Sequence, residues 1–286
     1  QRGNLGGLLL PRRNAKMSLR NLLENGIYAI GWEFYKFLAK VGLMDFTRIP
    51  PVKGIPADEI TIAKALKPAG YRTGMVGKWH LGEFTYYPEY NPVNYGFDFF
   101  YGVPHSNDMV DFALYRNREC LSPEFKDLAA LTGLYTREAI EFIESAGDAP
   151  FFLYFAHTYP HQPLHASENF RGKSAGGIYG DAVEEIDWSV GEVIRVLEAR
   201  GQLKNTLIIF TSDNGPWYNG SPGGLRGRKG QSYEGGYRIP MIAHYPRRIP
   251  AGMVCHAPAM NIDWFPTCLS LAGVELPNDR IIDGKD

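Results

Sequence analysis

A lysine and a histidine stand two positions apart in the stretch GMVGKWHLGE, directly after an apolar run and with glycine on both sides. Lys78 would supply a positive charge, and His80 a group that gains and loses a proton near neutral pH. Taken alone, the pair is also typical of a solvated lysine and a hydrogen-bonded loop histidine. Its chemical capacity is the binding of an anion whose reaction involves proton transfer.

Three further polar clusters extend this chemistry. They are His157, His161 and His165 in HTYPHQPLH, Asp213 and Asn214 in SDNG, and Arg226, Arg228 and Lys229 in GLRGRKG. Cations, histidines and an Asp-Asn pair with hard oxygen donors suit an anionic ester that is held against a divalent ion. The three histidines alone would suggest zinc, but Pro160 and Pro163 break any helix that would bring them to one face.

The segments between these clusters alternate between helical and strand patterns. Apolar periodicity predicts helices over 56–71, 136–147 and 179–201, and short apolar runs predict strands over 72–77, 150–156 and 205–215. The acidic residues of the third helix predict a solvated face. Helices that alternate with buried strands indicate an α/β fold with a mainly parallel central sheet and helices on both faces. The polar clusters that follow the strands would then lie along one edge of the sheet.

Composition narrows the class of protein. The chain has 286 residues, of which 44% are hydrophobic, enough for one large core or a core with a smaller lobe. A net charge of −1 provides no overall field for nucleic acid or an anionic membrane, and no apolar stretch approaches the roughly 20 residues of a membrane span. The cysteines are three and widely spaced, which argues against a complete disulfide framework.

Five motifs in order carry a resemblance to a known family. They are GKWHLG (77–82), GIYGDAVEEIDWSVG (177–191), TSDNG (211–215), GRKGQSYEGGYRIP (227–240) and NIDWFPTCLSLAGVELPNDRIIDGKD (261–286). From about Gly54 onward the chain closely resembles the type I sulfatases, the arylsulfatase family within the alkaline phosphatase superfamily. The resemblance implies an alkaline-phosphatase-like fold, with 51–286 as a partial catalytic domain and 1–50 unassigned.

The resemblance also implies roles for individual residues. Lys78 would neutralise sulfate oxygens, and His80 would take a proton from the covalent intermediate so that sulfate leaves. His161, with His157 as the alternative, would act with Lys229 at the leaving-group oxygen, where a proton donor is needed. Other residues with implied roles are Ser106 near the sulfate, and Asp213 and Asn214 as calcium ligands.

The chain departs from the family pattern at the nucleophile. Family members carry an upstream Asp-Asp pair that completes the calcium site, and a Cys-x-Pro-x-Arg motif whose cysteine becomes formylglycine. Cys120 in CLSPE, Cys255 in CHAPA and Cys268 in CLSLA do not match that motif. The resemblance therefore implies an internal piece of a sulfatase or a gene model with a damaged start, and an incomplete calcium site.

The resemblance implies that the parent activity is hydrolysis of a sulfate ester to an alcohol or phenol plus sulfate, in a lysosomal, secreted or periplasmic location. The partner would be a small-molecule or glycan sulfate ester rather than nucleic acid. Two alternatives remain. One is a phosphatase or phosphodiesterase of the same superfamily, and the other is a non-catalytic protein that binds sulfate or a sulfated glycan.

The first prediction concerns the isolated 286-residue chain. Because no cysteine lies in a formylglycine motif, and positioned cations cannot replace a nucleophile, we expect no turnover of a chromogenic aryl sulfate above background, even with calcium. Mass spectrometry of the same sample should find no cysteine converted to an aldehyde. Metal-dependent release of the phenol that Asp213→Ala abolishes would contradict this expectation and would indicate another nucleophile.

Overall fold

The computed structural model describes residues 54–109 and 111–286, so the unassigned segment 1–50 lies outside the described residues. The described residues belong to two compact units, Thr211–Met241 and all the others, and each is considered by itself. The strands are β1 (Arg72–Lys78), β2 (Phe99–Val103), β3 (Leu114–Arg116), β4 (Glu119–Ser122), β5 (Phe151–Ala156), β6 (Ile208–Thr211) and β7 (Met241–His244). The α-helices are α1 (Ile62–Leu66), α2 (Leu131–Ser145), α3 (Gly177–Ala199), α4 (Glu234–Tyr237) and α5 (Trp264–Ala272). Short 3-10 helices are Lys67–Ala69, Pro88–Tyr90, Pro92–Tyr95, Leu128–Ala130, Leu203–Asn205 and Asn261–Asp263.

The central sheet has five strands in the order β4-β3-β2-β1-β5. β1 is parallel to both β2 and β5, so that Val76 lies opposite Tyr101 on one side and Phe155 on the other. β3 and β4 extend the sheet antiparallel beyond β2, and β6 and β7 form a separate two-stranded sheet. The prediction of an α/β fold with a mainly parallel central sheet is confirmed.

Both faces of the central sheet are covered. Met75 and Phe100 project to one face and pack with Ala63 of α1. Val76 of β1 projects to the opposite face and packs with Tyr135 of α2, in a cluster that also includes residues of α3. Successive strand residues face opposite sides of a sheet, which explains why the apolar run of β1 divides between two cores.

The first helix is shorter than its sequence pattern predicts. The side chain of Thr61 accepts a hydrogen bond from the Lys64 N–H and caps α1, which therefore begins at Ile62. Pro68 lies in the 3-10 turn that follows Leu66, and Gly70 ends that turn with φ of 83°. The cap and the proline confine the α-helix to the middle of the predicted span.

The expectation of a solvated acidic face on the third helix holds for Glu184, Asp187 and Glu198, which are exposed, but not for two other acidic residues. Asp181 and Glu185 are 2% and 1% exposed. Asp181 accepts backbone N–H groups from Gly172 and Ser174, both at 2.8 Å, and Glu185 accepts the Ser167 N–H at 2.9 Å. The hydrogen bonds from backbone N–H groups lower the pKa of Asp181. These two carboxylates hold the segment before α3 in place instead of facing solvent.

The sequence patterns do not predict β2 or the β3–β4 hairpin. β2 is rich in aromatic residues without alternation, and the hairpin turn uses Asn117 with φ of 53° where a glycine would have marked it. Arg116 fixes the hairpin to α2, because its Nη2 lies 2.5 Å from Oε1 of the buried Glu138. In the part of the chain that the structure describes, no helix is long and apolar enough to cross a membrane.

The second prediction concerns the crowded end of β1. Gly77 has φ of 116°, and a Cβ there would lie 1.8 Å from the Ala156 carbonyl oxygen. We expect Gly77→Ala to lower the free energy of unfolding by about 3 kcal/mol through strain and overpacking. The measurement is urea unfolding followed by tryptophan fluorescence.

Gly191 is the matched control, since it lies within α3 and a methyl group added there would have nothing within 4 Å. Gly191→Ala should raise the free energy of unfolding by roughly 0.5–1 kcal/mol, because alanine favours the helix. Equal unfolding midpoints for the two variants would contradict the crowding at Gly77.

Candidate functional site

The parallel strands β1, β2 and β5 end side by side, at Lys78, Val103 and Ala156. Their backbones approach closely there, because a Cβ on Gly102 would lie 1.8 Å from the Gly77 carbonyl oxygen. Only glycine allows this approach. The loops that follow the three strands therefore start from one edge of the sheet. The prediction of a shared edge is confirmed for the clusters at β1 and β5, whereas the strand before SDNG, β6, belongs to the two-stranded sheet and does not contribute to this edge.

β1 ends at Lys78, which is half-buried, and the loop that follows carries His80, which is exposed. Trp79 between them is buried, and its backbone N–H donates to the Val103 carbonyl at 3.0 Å. The His80 backbone N–H donates to the Pro104 carbonyl at 2.8 Å. His80 also has φ of 53°, a left-handed conformation that costs a non-glycine residue about 1–3 kcal/mol and is typical of functional sites.

The loop after β2 is buried. His105 and Ser106 are each 3% exposed, and His105 Nδ1 lies 3.1 Å from the Ser106 carbonyl oxygen. On its other side, His105 Nε2 lies 3.8 Å from Oε2 of Glu83, in the loop after β1. His105 therefore connects the first two loops, a role that its sequence position did not indicate. The predicted substrate residue Ser106 belongs to this buried connection.

The loop after β5 carries His161, which is half-buried. Its Nδ1 lies 3.3 Å from Oδ1 of Asn107 and 2.6 Å from the carbonyl oxygen of Gln162. Asn107 follows Ser106 directly, so the loop after β5 is joined to the loop after β2. The structure thus brings Lys78, His80, Ser106 and His161 to one edge of the sheet, on loops that are bonded to each other.

His157 has different surroundings from His161. Its ring centroid lies 4.2 Å from that of Phe155, and its Nε2 lies 3.3 Å from Oγ of Ser189, which is itself 2.6 Å from Oγ1 of Thr136. Burial lowers the pKa of His157 to about 4, because the charged imidazolium is poorly solvated there. A neutral, packed histidine cannot donate a proton near neutral pH, and this favours His161 over His157 as the proton donor.

The unit Thr211–Met241 contains the other predicted site residues. Asp213 is exposed, and its Oδ1 accepts from Asn214 Nδ2 at 2.9 Å. The turn that they form is packed against the YEGG segment, because the Gly215 N–H donates to the Gly236 carbonyl at 2.9 Å. A Cβ on Gly215 would lie 2.0 Å from the Gly235 carbonyl oxygen. The glycine of the SDNG motif is therefore needed for this contact.

Lys229 is placed near the same turn, because its backbone N–H donates to the Pro216 carbonyl at 3.1 Å. The two arginines of its loop have structural contacts. Arg228 donates to the carbonyls of Trp217 and Gly220, at 3.0 and 2.6 Å, while Arg226 lies 3.8 Å over the Tyr233 ring. Both arginine side chains therefore contact other parts of this unit, and Lys229 is the residue of this loop for which the sequence predicts a ligand role.

Two of the residues that the sequence predicts as calcium ligands are neighbours in one turn. Asp213 and Asn214 offer adjacent carboxylate and amide oxygens, the donor type that calcium prefers. Among residues 54–109 and 111–286 there is no group of three or more His, Cys, Asp or Glu residues placed to hold a metal ion. The two residues fit a part of a calcium site, which needs about six to eight oxygen ligands.

The three cysteines are free of disulfides. Cys120 and Cys255 are exposed and unpaired, and Cys268 is half-buried and unpaired. Burial raises the pKa of the Cys268 thiol to about 11, so this side chain is a neutral thiol at physiological pH. No reaction step is assigned to any of them.

Comparison with known proteins gives consistent matches. The family model described as Sulfatase matches residues 39–274. N-acetylgalactosamine-6-sulfatase of Mus musculus is 38% identical over 98% of this chain and 56% of its own length. Steryl-sulfatase of Homo sapiens is 32% identical over 98% of this chain and 60% of its own length. The crystal structure of Ps i-CgsB in complex with k-i-k-neocarrahexaose has a TM-score of 0.73 and 31% identity, covering 81% of this chain and 57% of that chain. This chain thus spans little more than half the length of these proteins.

The third prediction follows from the lowered pKa of His157. The unfolded chain binds a proton at this side chain below about pH 6.5, whereas the folded chain does so only below about pH 4. Between these values the unfolded state binds more protons, so stability rises with pH and is lost as the pH falls. Against His157→Gln, the wild type should lose about 2 kcal/mol of unfolding free energy between about pH 7 and pH 5.

Urea titrations at several pH values measure this difference. Above about pH 7 histidine is neutral in both states, and the gap between wild type and His157→Gln should be constant there, which serves as the internal control. A gap that does not change on acidification would show that His157 is accessible to protons in the folded protein.

Proposed function

Because this chain belongs to the sulfatase family, we propose that the protein hydrolyses a sulfate ester to an alcohol or phenol plus sulfate. The observation that carries the proposal is the joining of three strand-end loops at one sheet edge. The His80 N–H donates to the Pro104 carbonyl at 2.8 Å, and Asn107 faces His161 at 3.3 Å. These bonds hold the loops that carry the cationic and proton-transferring side chains together.

In this proposal the side chains divide the work on an anionic ester. Lys78 neutralises charge on the sulfate oxygens, and His80 moves a proton at the bound sulfate. His161 donates a proton to the leaving-group oxygen, and Lys229 stabilises the negative charge that develops there. Ser106 supports the sulfate side of the site from its buried position. Each group would stabilise the transition state more than the ground state, which is the requirement for catalysis.

Asp213 and Asn214 would contribute two oxygen ligands to a calcium ion. A bound cation of this kind orients a sulfate group and offsets its charge. The isolated chain provides only this part of the metal site among its described residues, and it has no cysteine in the family's formylglycine motif. The family implies a metal ion and a formylglycine, and the roles given above are those of this chain's own side chains.

We propose a sulfated glycan as the substrate. Two of the matched proteins point to sugars by name, the N-acetylgalactosamine-6-sulfatase and Ps i-CgsB with its bound neocarrahexaose. A sugar hydroxyl is a poor leaving group without protonation, so a glycan sulfate would make full use of His161. A lysosomal, secreted or periplasmic location would expose the protein to such substrates.

The fourth prediction tests the assigned side chains in the natural-length protein that contains this chain. His80→Ala and Lys229→Ala should each reduce kcat/KM on a sulfate ester by roughly 10²-fold or more, since each removes a proton-transfer or charge-stabilising group. The unfolding midpoints should change little, because His80 is exposed and Lys229 is only half-buried.

The matched controls are Lys204→Ala and His256→Ala, which remove exposed side chains of the same types and should retain the turnover of the parent. Turnover near the parent value in both His80→Ala and Lys229→Ala would refute the assigned roles. Saturable binding of a sulfated glycan with no turnover by the natural-length protein would support the non-catalytic alternative instead.

A further inference from the structure

The side chain of Asn107 lies at the junction of the loops after β2 and β5. It is 7% exposed, and it reaches residues more than fifty positions further along the chain. Its Nδ2 donates to the Pro163 carbonyl at 2.9 Å, and its Oδ1 faces His161 Nδ1 at 3.3 Å. The residue has no role in the proposed function as stated so far.

The Pro163 carbonyl determines the orientation of the amide. A carbonyl oxygen only accepts hydrogen bonds, so the atom of Asn107 that faces it must be the Nδ2 donor. The amide oxygen is then the atom that faces the imidazole of His161. Since this oxygen only accepts, the bond requires a proton on Nδ1 of His161.

A second acceptor imposes the same protonation. The carbonyl oxygen of Gln162 lies 2.6 Å from Nδ1 of His161, and it also requires a donor at that atom. Two acceptors therefore face Nδ1, one from the histidine's own loop and one from the neighbouring loop. The contact from Asn107 is the one that ties the ring to the sheet edge.

We infer that Asn107 is a positioning residue for His161, which holds the imidazole as the Nδ1–H tautomer so that Nε2 exchanges the proton with the leaving group. The identity of the leaving group rests on the proposed function. The tautomer of His161 follows from the hydrogen bonds alone and is independent of that function. Asn107 acts through His161 and needs no contact with the substrate.

The proton balance shows why one fixed tautomer helps. As an oxyanion nucleophile bonds to sulfur, the S–O bond to the leaving group breaks and its electron pair stays on the leaving-group oxygen. The imidazolium gives its Nε2 proton to this oxygen, and an alcohol or phenol departs. The remaining neutral imidazole still carries Nδ1–H, so its bonds to Asn107 and Gln162 are the same before and after the step. No protein dipole has to turn during the transfer.

An amide suits this position better than a carboxylate. Asn107 accepts from His161 with one end and donates to Pro163 with the other. Aspartate would leave the Pro163 carbonyl without its donor and would add negative charge beside a site for an anion. Buried groups of this kind are costly when only half satisfied, and asparagine satisfies both partners.

The fifth prediction tests the tautomer in the 286-residue chain itself. With 15N-labelled histidine, long-range proton–nitrogen correlation spectra should show His161 with the proton on Nδ1. In Asn107→Ala we expect His161 to lose this single form and to mix the two tautomers. An unchanged Nδ1–H form in Asn107→Ala would overturn the inference, because the Gln162 carbonyl would then be sufficient.

Asn91 provides the matched control. It is 4% exposed and also fixes a loop, with Nδ2 donating to the Asn117 carbonyl at 2.9 Å and Oδ1 accepting from the Val93 N–H at 3.1 Å. Asn91→Ala should weaken the fold without altering the tautomer of His161. If Asn91→Ala changed the tautomer of His161 as much as Asn107→Ala does, the cause would be general destabilisation. That result would overturn the inference.

Activity of the natural-length protein separates positioning from folding. Protonation of the leaving group matters for an alkyl or sugar sulfate and little for an aryl sulfate with an acidic phenol. Asn107→Ala should therefore lower kcat on a sugar sulfate by roughly 10²-fold, lower kcat on the activated aryl sulfate by less than about tenfold, and affect KM similarly for both. Equal losses of kcat would overturn the inference.

If the wild type hydrolyses neither ester, the proposed function fails, and the tautomer spectra alone decide the role of Asn107.

Discussion

The close approach of three backbones at Gly77 is the constraint on which the arrangement of this sheet edge depends. The carbonyl oxygens of Ala156 and Gly77 lie where the Cβ atoms of Gly77 and Gly102 would be. Because no side chain separates the strand ends, β1, β2 and β5 finish at one level and their loops begin as neighbours. Lys78 follows the crowded glycine directly, so the backbone fixes the point from which its side chain extends.

Buried polar side chains then maintain what the backbone establishes. Asn107, Asp181 and Glu185 are each at least 93% buried, and each satisfies backbone groups of a loop. A buried polar group without a partner costs about 1–3 kcal/mol, so such bonds specify one loop conformation rather than merely strengthening it. This explains how loops with several prolines and glycines hold particular side chains at defined positions.

The sequence patterns predict the elements whose signal is local. The apolar runs of β1 and β5 and the long amphipathic α3 are confirmed, and Lys78 and His161 lie at the end of β1 and after β5, which are parallel. The β3–β4 hairpin was missed because its turn has no glycine. The burial of Asp181 and the contact of Asn107 with His161 depend on tertiary packing, since 54 residues separate that pair in the chain. Side-chain bonds to distant backbone leave no periodic signal in the sequence.

The bonds among the three loops have a consequence for the entropy of ligand binding. A loop that must become ordered around a ligand loses conformational entropy, which opposes association. Here the His80 N–H, His105 and Asn107 make their contacts within the protein alone. The left-handed backbone of His80 is likewise fixed by a bond within the protein, from its N–H to the Pro104 carbonyl. The entropy cost of ordering these three loops therefore belongs to folding rather than to binding. An anion at this edge of the sheet contacts loops whose conformation the protein itself determines.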